Sequence, residues 1–382
     1  MKSKKIYISS LFLSTAMVLF TLNSCDESFL EPDPLSFYSP NNVLIDEEGL
    51  QAVLDKALSS LRGELFLDQS PFLTNMKYSD VGVDGSTDKA TPWQDLNNQM
   101  LPDGENNSNA VTKIGWYWDA SYQVIKDCNT VISRIDATDI ESEETKNRLI
   151  GSAYFLRSYR YYAKTLQYGD VPLILEELKE PRVDFYTTTK ESIWPKMIKD
   201  LEFAVQWVPE ASQVANGQVT KAACKHLLAK YYLLEGRFDD AIKQTSDIID
   251  GGVHNLMTNR FGIDQDIPEK DVIWDLFREE NKSHSANTEG LMLTIDRYGM
   301  DGNTGYRWDG LTNGTGSMRN ALPMYGQTGI IKTPDGANGM TDQAGVEIGL
   351  VETYGRGIAR VRPSGYSIRD VWVLNGVMDW TD

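Results

Sequence analysis

The chain has 382 residues, and its 37 Lys and Arg against 55 Asp and Glu give a net charge of −18. A hydrophobic fraction of 41% and an aromatic fraction of 10% exclude a disordered chain. The acidic balance argues against nucleic acid or an anionic membrane surface as a partner, because phosphate binding needs a positive patch. Three Cys and three scattered His make neither a disulfide framework nor a zinc site.

The N-terminus has the features of an export signal. Basic residues precede an apolar stretch over residues 6–20, and Leu-Asn-Ser leads to Cys25. A membrane-spanning helix needs about 20 apolar residues, and this stretch is shorter. A Cys after Leu-x-Ser resembles the lipobox of bacterial lipoproteins, in which that Cys becomes the acylated first residue. The sequence therefore predicts a signal peptide over residues 1–24 and lipid attachment, such as palmitate, at Cys25.

Residues 25–45 are predicted to form a lipid-anchored tether. Pro32 and Pro34 favour extended backbone over a helix. Asp26 and Glu27 follow the Cys directly, and acidic residues there resemble surface-export signals of some Gram-negative lipoproteins. We therefore expect an outer-membrane location with the protein facing the cell exterior.

From Asp46 onward, apolar residues recur at steps of three to four, which is the spacing of amphipathic helices. Capping residues and breakers set the predicted bounds. Asp46 can cap the first helix and Gly63 can end it, while Thr188 and Glu191 have capping-box spacing. The predicted helices cover residues 46–63, 113–135, 142–166, 188–208, 220–235 and 238–250.

The last two predicted helices form a hairpin with a turn at Gly236. Small residues would let the two helices approach, and Tyr232 and Phe238 would fill the gap between them. The residues at tetratricopeptide spacing are Leu228, Ala229, Tyr232, Gly236, Phe238 and Ala241. The later positions of that consensus are not kept, so the repeat is degenerate. The predicted fold class is mainly α: a degenerate tetratricopeptide-like helical-hairpin scaffold with long irregular loops and few short strands.

Two long stretches of the domain over residues 46–382 lack helical periodicity. Residues 64–112 are rich in Asp, Asn, Gly, Ser and Thr, and residues 299–357 hold 14 of the 30 glycines. We predict binding loops there, with short strands near 347–353 and 368–374. The sequence ends in an aromatic, apolar run, which suggests truncation at the C-terminus.

Several motifs, taken together and in order, resemble the SusD/RagB family of outer-membrane nutrient-binding lipoproteins. The similarity covers nearly all of the chain after the signal segment. The motifs are Cys25 with Asp26 to Pro32; Trp118, Tyr122, Ile125, Cys128, Asn129 and Ile132; Ala153 to Tyr159; Tyr168 to Leu173; Asp200, Leu201 and Ala204; Thr220 to Ala223; Gly236 to Phe238; Tyr354 to Gly357; and Arg362 with Pro363.

This resemblance implies a helical scaffold of four degenerate tetratricopeptide-like pairs with long loops packed against it. It also implies a partner, a SusC-like TonB-dependent outer-membrane transporter, over which the lipoprotein sits as a lid that captures and delivers ligand. Family ligands are mostly glycans, and some members take oligopeptides. No cofactor is implied.

Sugar binding needs flat aromatic faces for the C–H side of the ring, and amide or carboxylate groups for the hydroxyls. Loops on a rigid scaffold commonly carry such sites. Both long loops offer this mixture, and the family's glycan sites draw on an early and a later loop. The predicted ligand-binding residues are Asp84, Trp93, Asn97, Tyr306 and Trp308. The alternative for each Trp is that it anchors its loop in the core.

Other conspicuous side chains are predicted to be structural. Trp118 lies on the periodic face of its helix and is expected in the core. Arg157 is expected to satisfy carbonyls or an acid inside the helix stack. Cys128 and Cys224 are expected to be small buried residues.

Sequence motifs of catalysis are missing. The chain has no Gly-x-Ser-x-Gly, no P-loop and no His-Glu-x-x-His, and Asp264-Gln265-Asp266 lacks the Gly and Glu of an EF-hand. We therefore predict a protein that is not an enzyme, and we assign no metal-ligating residues. The open alternatives are an oligopeptide-binding member of the same uptake system, a protein-binding repeat adaptor, and a surface glycan hydrolase.

Overall fold

The computed structural model describes residues 43–67, 71–85, 114–296, 320–321, 332–337, 339, 357–371 and 373. Contacts divide the chain into Met1–Ile45 and Asp46–Asp382, and the elements below belong to the second unit. The helices are α1 (Glu47–Phe66), α2 (Phe72–Lys77), α3 (Ile114–Arg134), α4 (Glu143–Tyr168), α5 (Lys190–Trp207), α6 (Lys221–Leu234), α7 (Phe238–Ile249) and α8 (Val272–Phe277). The strands are β1 (Gly82–Asp84), β2 (Val171–Pro172), β3 (Thr187–Thr188) and β4 (Val361–Pro363).

The long helices pack against one another in chain order. α3 packs on α4, α4 on α5, α5 on α6 and α6 on α7, while α1 lies against α3 and α4. Stacked helical hairpins have this arrangement, in which neighbours in sequence are neighbours in space. The core between them includes Leu54, Ile125, Leu156, Leu201 and Leu228, all buried. The predicted mainly α, tetratricopeptide-like fold class is confirmed.

Side-chain caps set the starts of two long helices, and the cap at Asp46 is as predicted from sequence. Asp46 Oδ1 accepts a hydrogen bond from the Gly49 N–H at 2.9 Å, and Thr220 Oγ1 accepts one from the Ala223 N–H at 3.2 Å. At the turn between α6 and α7, Gly236 has a φ of +70°, which favours glycine. In this hairpin Tyr232 is buried as expected, but Phe238 is mostly exposed, which corrects its predicted packing role.

Two predicted helix ends were wrong, each because contacts distant in sequence determine the end. α1 continues through Gly63 to Phe66, since buried Glu64 is anchored by Arg160 at 2.6 Å, which offsets the cost of about 1 kcal/mol for a helical glycine. Thr188 does not begin a capping box but pairs with Val171 in the β2–β3 ladder. The N-terminus of α5 is instead capped from outside, because Asp170 Oδ1 accepts a hydrogen bond from the Lys190 N–H.

The described parts of the predicted loops contain some regular structure. α2 and β1 lie within the segment 64–112. β1 pairs antiparallel with β4, with Gly82 opposite Pro363, so the early loop is joined to the last described segment. The predicted strand at 368–374 was wrong at its start, because Tyr366–Asp370 forms a helical turn. The other predicted strand, 347–353, lies outside the described residues.

Across the described ranges, no helix combines the length and the apolar character needed to cross a bilayer.

Candidate ligand-binding site

A cleft of about 550 Å³ opens between α3 and the chain that follows α4, and we call it the α3 cleft. Its volume falls in the usual range for small-ligand pockets. It is lined by Trp118, Asp119, Tyr122, Gln123, Ile125, Lys126, Asn129, Pro172, Ile174, Glu176, Leu178 and Phe185. Apolar side chains dominate the lining, while Asp119, Gln123, Lys126 and Glu176 are exposed polar residues of its rim.

Trp118 is the most prominent aromatic side chain of this cleft, and its predicted core position was wrong. Its side chain is 37% exposed, whereas the preceding residue, Tyr117, is only 3% exposed. Successive residues of a helix lie about 100° apart, so the buried face is centred one residue earlier than predicted. Phe185, also 37% exposed, contributes a second ring to the cleft. A ligand with a flat apolar face could contact either ring.

The inner side of the Trp118 ring packs against a buried ammonium group. Lys164 Nζ lies 3.7 Å from the ring centroid of Trp118 and 3.7 Å from that of Tyr122. The third ring, Tyr168, lies 5.3 Å from the same Nζ and meets Trp118 edge-on. Lys164 is fully buried. Burial lowers the pKa of Lys164 to about 7, and the Asp119 carboxylate acts in the opposite direction.

Hydrogen bonds to backbone carbonyls hold the floor of the cleft. Asn129 Nδ2 donates to the carbonyls of Ile174 at 3.0 Å and Glu176 at 3.3 Å. Tyr122 Oη donates to the Pro172 carbonyl at 3.0 Å. Because these donors sit on α3, the segment after β2 is fixed to the helix that carries Trp118. The cleft is therefore part of the rigid scaffold.

Arg157 is buried behind the cleft and binds residues that shape it, in agreement with its predicted structural role. Its guanidinium donates to Asp200 Oδ2 at 2.6 Å, to Asn129 Oδ1 at 2.8 Å and to the Leu175 carbonyl at 3.1 Å. Arg157 and Asp200 are each only 2% exposed. The predicted role of Arg157 is thus confirmed, and this network links α3, α4 and α5 to the cleft.

The two helical cysteines are buried, as predicted. Burial raises the pKa of the Cys128 thiol to about 12 and also raises that of Cys224, so neither is a reactive thiolate at neutral pH. Among the described residues, no group of three His, Cys, Asp or Glu side chains could hold a metal ion. Asp264 Oδ2 accepts a hydrogen bond from Trp274 Nε1 and pairs with Arg278.

Most of the residues predicted to bind ligand lie outside the described ranges. These are Trp93, Asn97, Tyr306 and Trp308, and the lipid-attachment residue Cys25 is outside as well. Asp84 is the last residue of β1, where its backbone is paired with that of Val361. Its predicted binding role stays a prediction.

Sequence reasoning missed the α3 cleft. The available signal was the pair Trp118 and Tyr122, which are four residues apart and therefore share one side of a helix. Phe185 follows in a segment without periodicity, which gave no indication that it would face α3.

Comparisons with known proteins agree with the fold. A family profile described as SusD-like, "Starch-binding associating with outer membrane", matches residues 34–233, more than half of the chain. SusD-like protein P2 of Formosa agariphila is 25% identical over 321 residues, which are 83% of this chain and 59% of the relative. The chain thus spans 59% of the length of this curated relative.

Solved structures share the same architecture. Surface glycan-binding protein A from Bacteroides fluxus aligns over 85% of this chain and 61% of its own, at 16% identity and a TM-score of 0.57. A laminarin-binding SusD-like protein aligns over 72% of this chain and 56% of its own, at 18% identity and a TM-score of 0.53. At these identities the likeness concerns the fold. The profile match and the stacked helical hairpins together place this chain in the SusD-like family.

Proposed function

We propose that this protein binds a glycan at the outer-membrane surface and delivers it to a SusC-like TonB-dependent transporter. Lipid attachment at Cys25 holds it at the membrane, and its body faces the cell exterior. Its role is binding rather than catalysis. The observation that carries the proposal is the α3 cleft, in which exposed Trp118 and Phe185 rings lie beside polar rim groups on a fixed scaffold. Family membership and the glycan- and laminarin-binding relatives support the same ligand class.

The chemistry of the cleft suits a saccharide. The apolar face of a sugar ring packs on an exposed aromatic ring, while hydroxyl groups need donors and acceptors at the edge. Asp119, Gln123 and Glu176 offer these acceptors at the rim, and Lys126 offers a donor. The predicted residues Asp84, Trp93, Asn97, Tyr306 and Trp308 are a separate set of proposed glycan contacts.

Glycan binding should depend on the predicted loop tryptophans. We expect Trp93→Ala and Trp308→Ala each to weaken binding of an oligosaccharide by roughly tenfold, because aromatic anchors carry much of the energy of binding sites. Titration calorimetry against a panel of glycans and peptides measures this, with circular dichroism as the control for folding. If both variants bind as the wild type does, the loop site is wrong and the α3 cleft remains.

The same panel separates the other ligand classes. Binding of oligopeptides alone would favour a peptide-importing member of the family. Release of sugars from a polysaccharide by pure protein would favour a hydrolase.

Delivery is tested by isolating the lipoprotein from outer membranes solubilised in detergent. We expect a TonB-dependent barrel to co-purify with the tagged, lipidated protein, and a Cys25→Ala variant, which cannot be acylated, to be lost from the membrane fraction. Isolation of an intact lipoprotein with a different protein partner and no barrel would contradict delivery and favour an adaptor.

A further inference from the structure

Lys164 is an unusual residue to find in the core of a helical scaffold. Lysine is rarely fully buried without a charged partner, because transfer of its ammonium group out of water is costly. Here the Nζ atom lies against the faces of Trp118 and Tyr122, both at 3.7 Å from their centroids, and donates to the Trp118 carbonyl at a long 3.4 Å. The ring faces carry partial negative charge, so they favour the protonated amine.

The rings of Trp118, Tyr122 and Tyr168 form a cage around the Lys164 ammonium, and one of them reaches the surface. Trp118 presents one side to Lys164 and is exposed on the α3 cleft. The titratable groups around the ammonium are Asp119 and Tyr122 from α3 and Tyr168 from its own helix. Burial raises the pKa of Tyr122 and that of Tyr168, the latter to about 12, so both phenols stay neutral when the lysine titrates.

We propose that Lys164 is a positioning residue for the α3 cleft, whose charge holds the Trp118 and Tyr122 rings in the geometry that binds glycan. This inference rests on the proposed function of the cleft. When Lys164 is protonated, both rings are attracted to the same ammonium. When it is neutral, that attraction is lost and the exposed ring is held only by its packing.

Glycan binding at the cleft should therefore depend on pH near neutrality. Since burial lowers the pKa of Lys164 to about 7, we expect binding to be strongest below pH 7 and to weaken as pH rises through 8. The loss should reach roughly tenfold in Kd, which lies between the scales of exposed and of fully desolvated cation–π contacts. Lys164→Met keeps an apolar side chain without the charge. At every pH it should bind glycan with the weaker affinity that the wild type shows at high pH.

Protein stability gives a second readout that needs no ligand. Folded Lys164 loses its proton near pH 7, whereas the unfolded side chain keeps it to about its ordinary value of 10.5. Between these values the unfolded chain binds more protons, so the free energy of unfolding rises with pH. We expect the stability of the wild type relative to Lys164→Met to increase from pH 7 to pH 9 in urea denaturation.

A matched control is available on α8. Lys270 Nζ lies 3.3 Å from the ring centroid of Trp274, which is 40% exposed and does not line the cleft. Lys270→Met should leave the pH dependence of glycan affinity and that of the free energy of unfolding as in the wild type. Lys164→Arg keeps a charge throughout this range, and where it folds, its glycan binding should lose the pH dependence.

The outcomes separate the two proposals. If no glycan binds at any pH, the proposed function of the cleft falls and the positioning role falls with it. If glycan binds and the wild type and Lys164→Met share the same affinity and pH profile, the positioning role is refuted while the proposed function stands. If only stability depends on Lys164 and glycan binding does not, Lys164 is a structural residue and the proposal is likewise overturned.

Discussion

Replacing Arg157 by Met should destabilise the folded protein by about 3–5 kcal/mol, the usual cost of removing one partner from a buried ion pair. The change leaves Asp200 buried without the guanidinium that it meets at 2.6 Å, and it removes the donor to Asn129 Oδ1. Lys196 also contacts Asp200, but its own side chain is 36% exposed, so it compensates incompletely. Urea denaturation of the wild type and the variant measures the difference.

Two further variants show whether this cost comes from the buried charge. Arg182→Ala removes an exposed pair, since Arg182 and Asp184 are 52% and 64% exposed, and should leave the free energy of unfolding close to that of the wild type. The double variant Arg157→Met/Asp200→Leu should recover much of the loss, because replacement of both ionic partners by apolar residues is often close to neutral. A cost for Arg157→Met no larger than that of Arg182→Ala would contradict the buried network around Asp200.

The helical scaffold could be predicted because its signals are local. Asp46 caps α1 and Thr220 caps α6 through bonds to residues three positions away, and such spacings can be seen in sequence. The errors arose where a contact distant in sequence determines the structure. Gly63 stays helical beside a buried Glu64–Arg160 pair, and α5 is capped by Asp170, twenty residues before Lys190.

The α3 cleft was missed because contacts distant in sequence also determine it. Trp118 and Tyr117 are both aromatic and adjacent, and the packing of α3 on α1 and α4 decides which of them is exposed. Lys164 would ordinarily be assigned to the surface, since its residue type is almost never fully buried. Its burial becomes intelligible when the three rings around it, from two helices, are seen together.

Replacing Trp118 by Ala should weaken glycan binding by about 2 kcal/mol, or roughly thirtyfold in Kd, which is the scale of an aromatic anchor. The variant removes the largest exposed ring of the α3 cleft and also one wall of the Lys164 cage. Trp118→Phe keeps a smaller ring at both places and should lose less affinity. Calorimetric titration at pH 6.5, where Lys164 is mostly charged, measures the effect.

Trp274→Ala is the matched control for this experiment, because Trp274 is 40% exposed against 37% for Trp118 and also lies against a lysine ammonium. Trp274 lies on α8 and does not line the cleft. The glycan affinity of Trp274→Ala should therefore equal that of the wild type. Thermal unfolding of both variants separates lost binding from lost folding. Equal affinity of Trp118→Ala and Trp274→Ala, with both proteins folded, would exclude the α3 cleft as a glycan site and leave the predicted loop residues to carry the binding. A selective loss in Trp118→Ala would instead make the scaffold itself part of the glycan-binding surface.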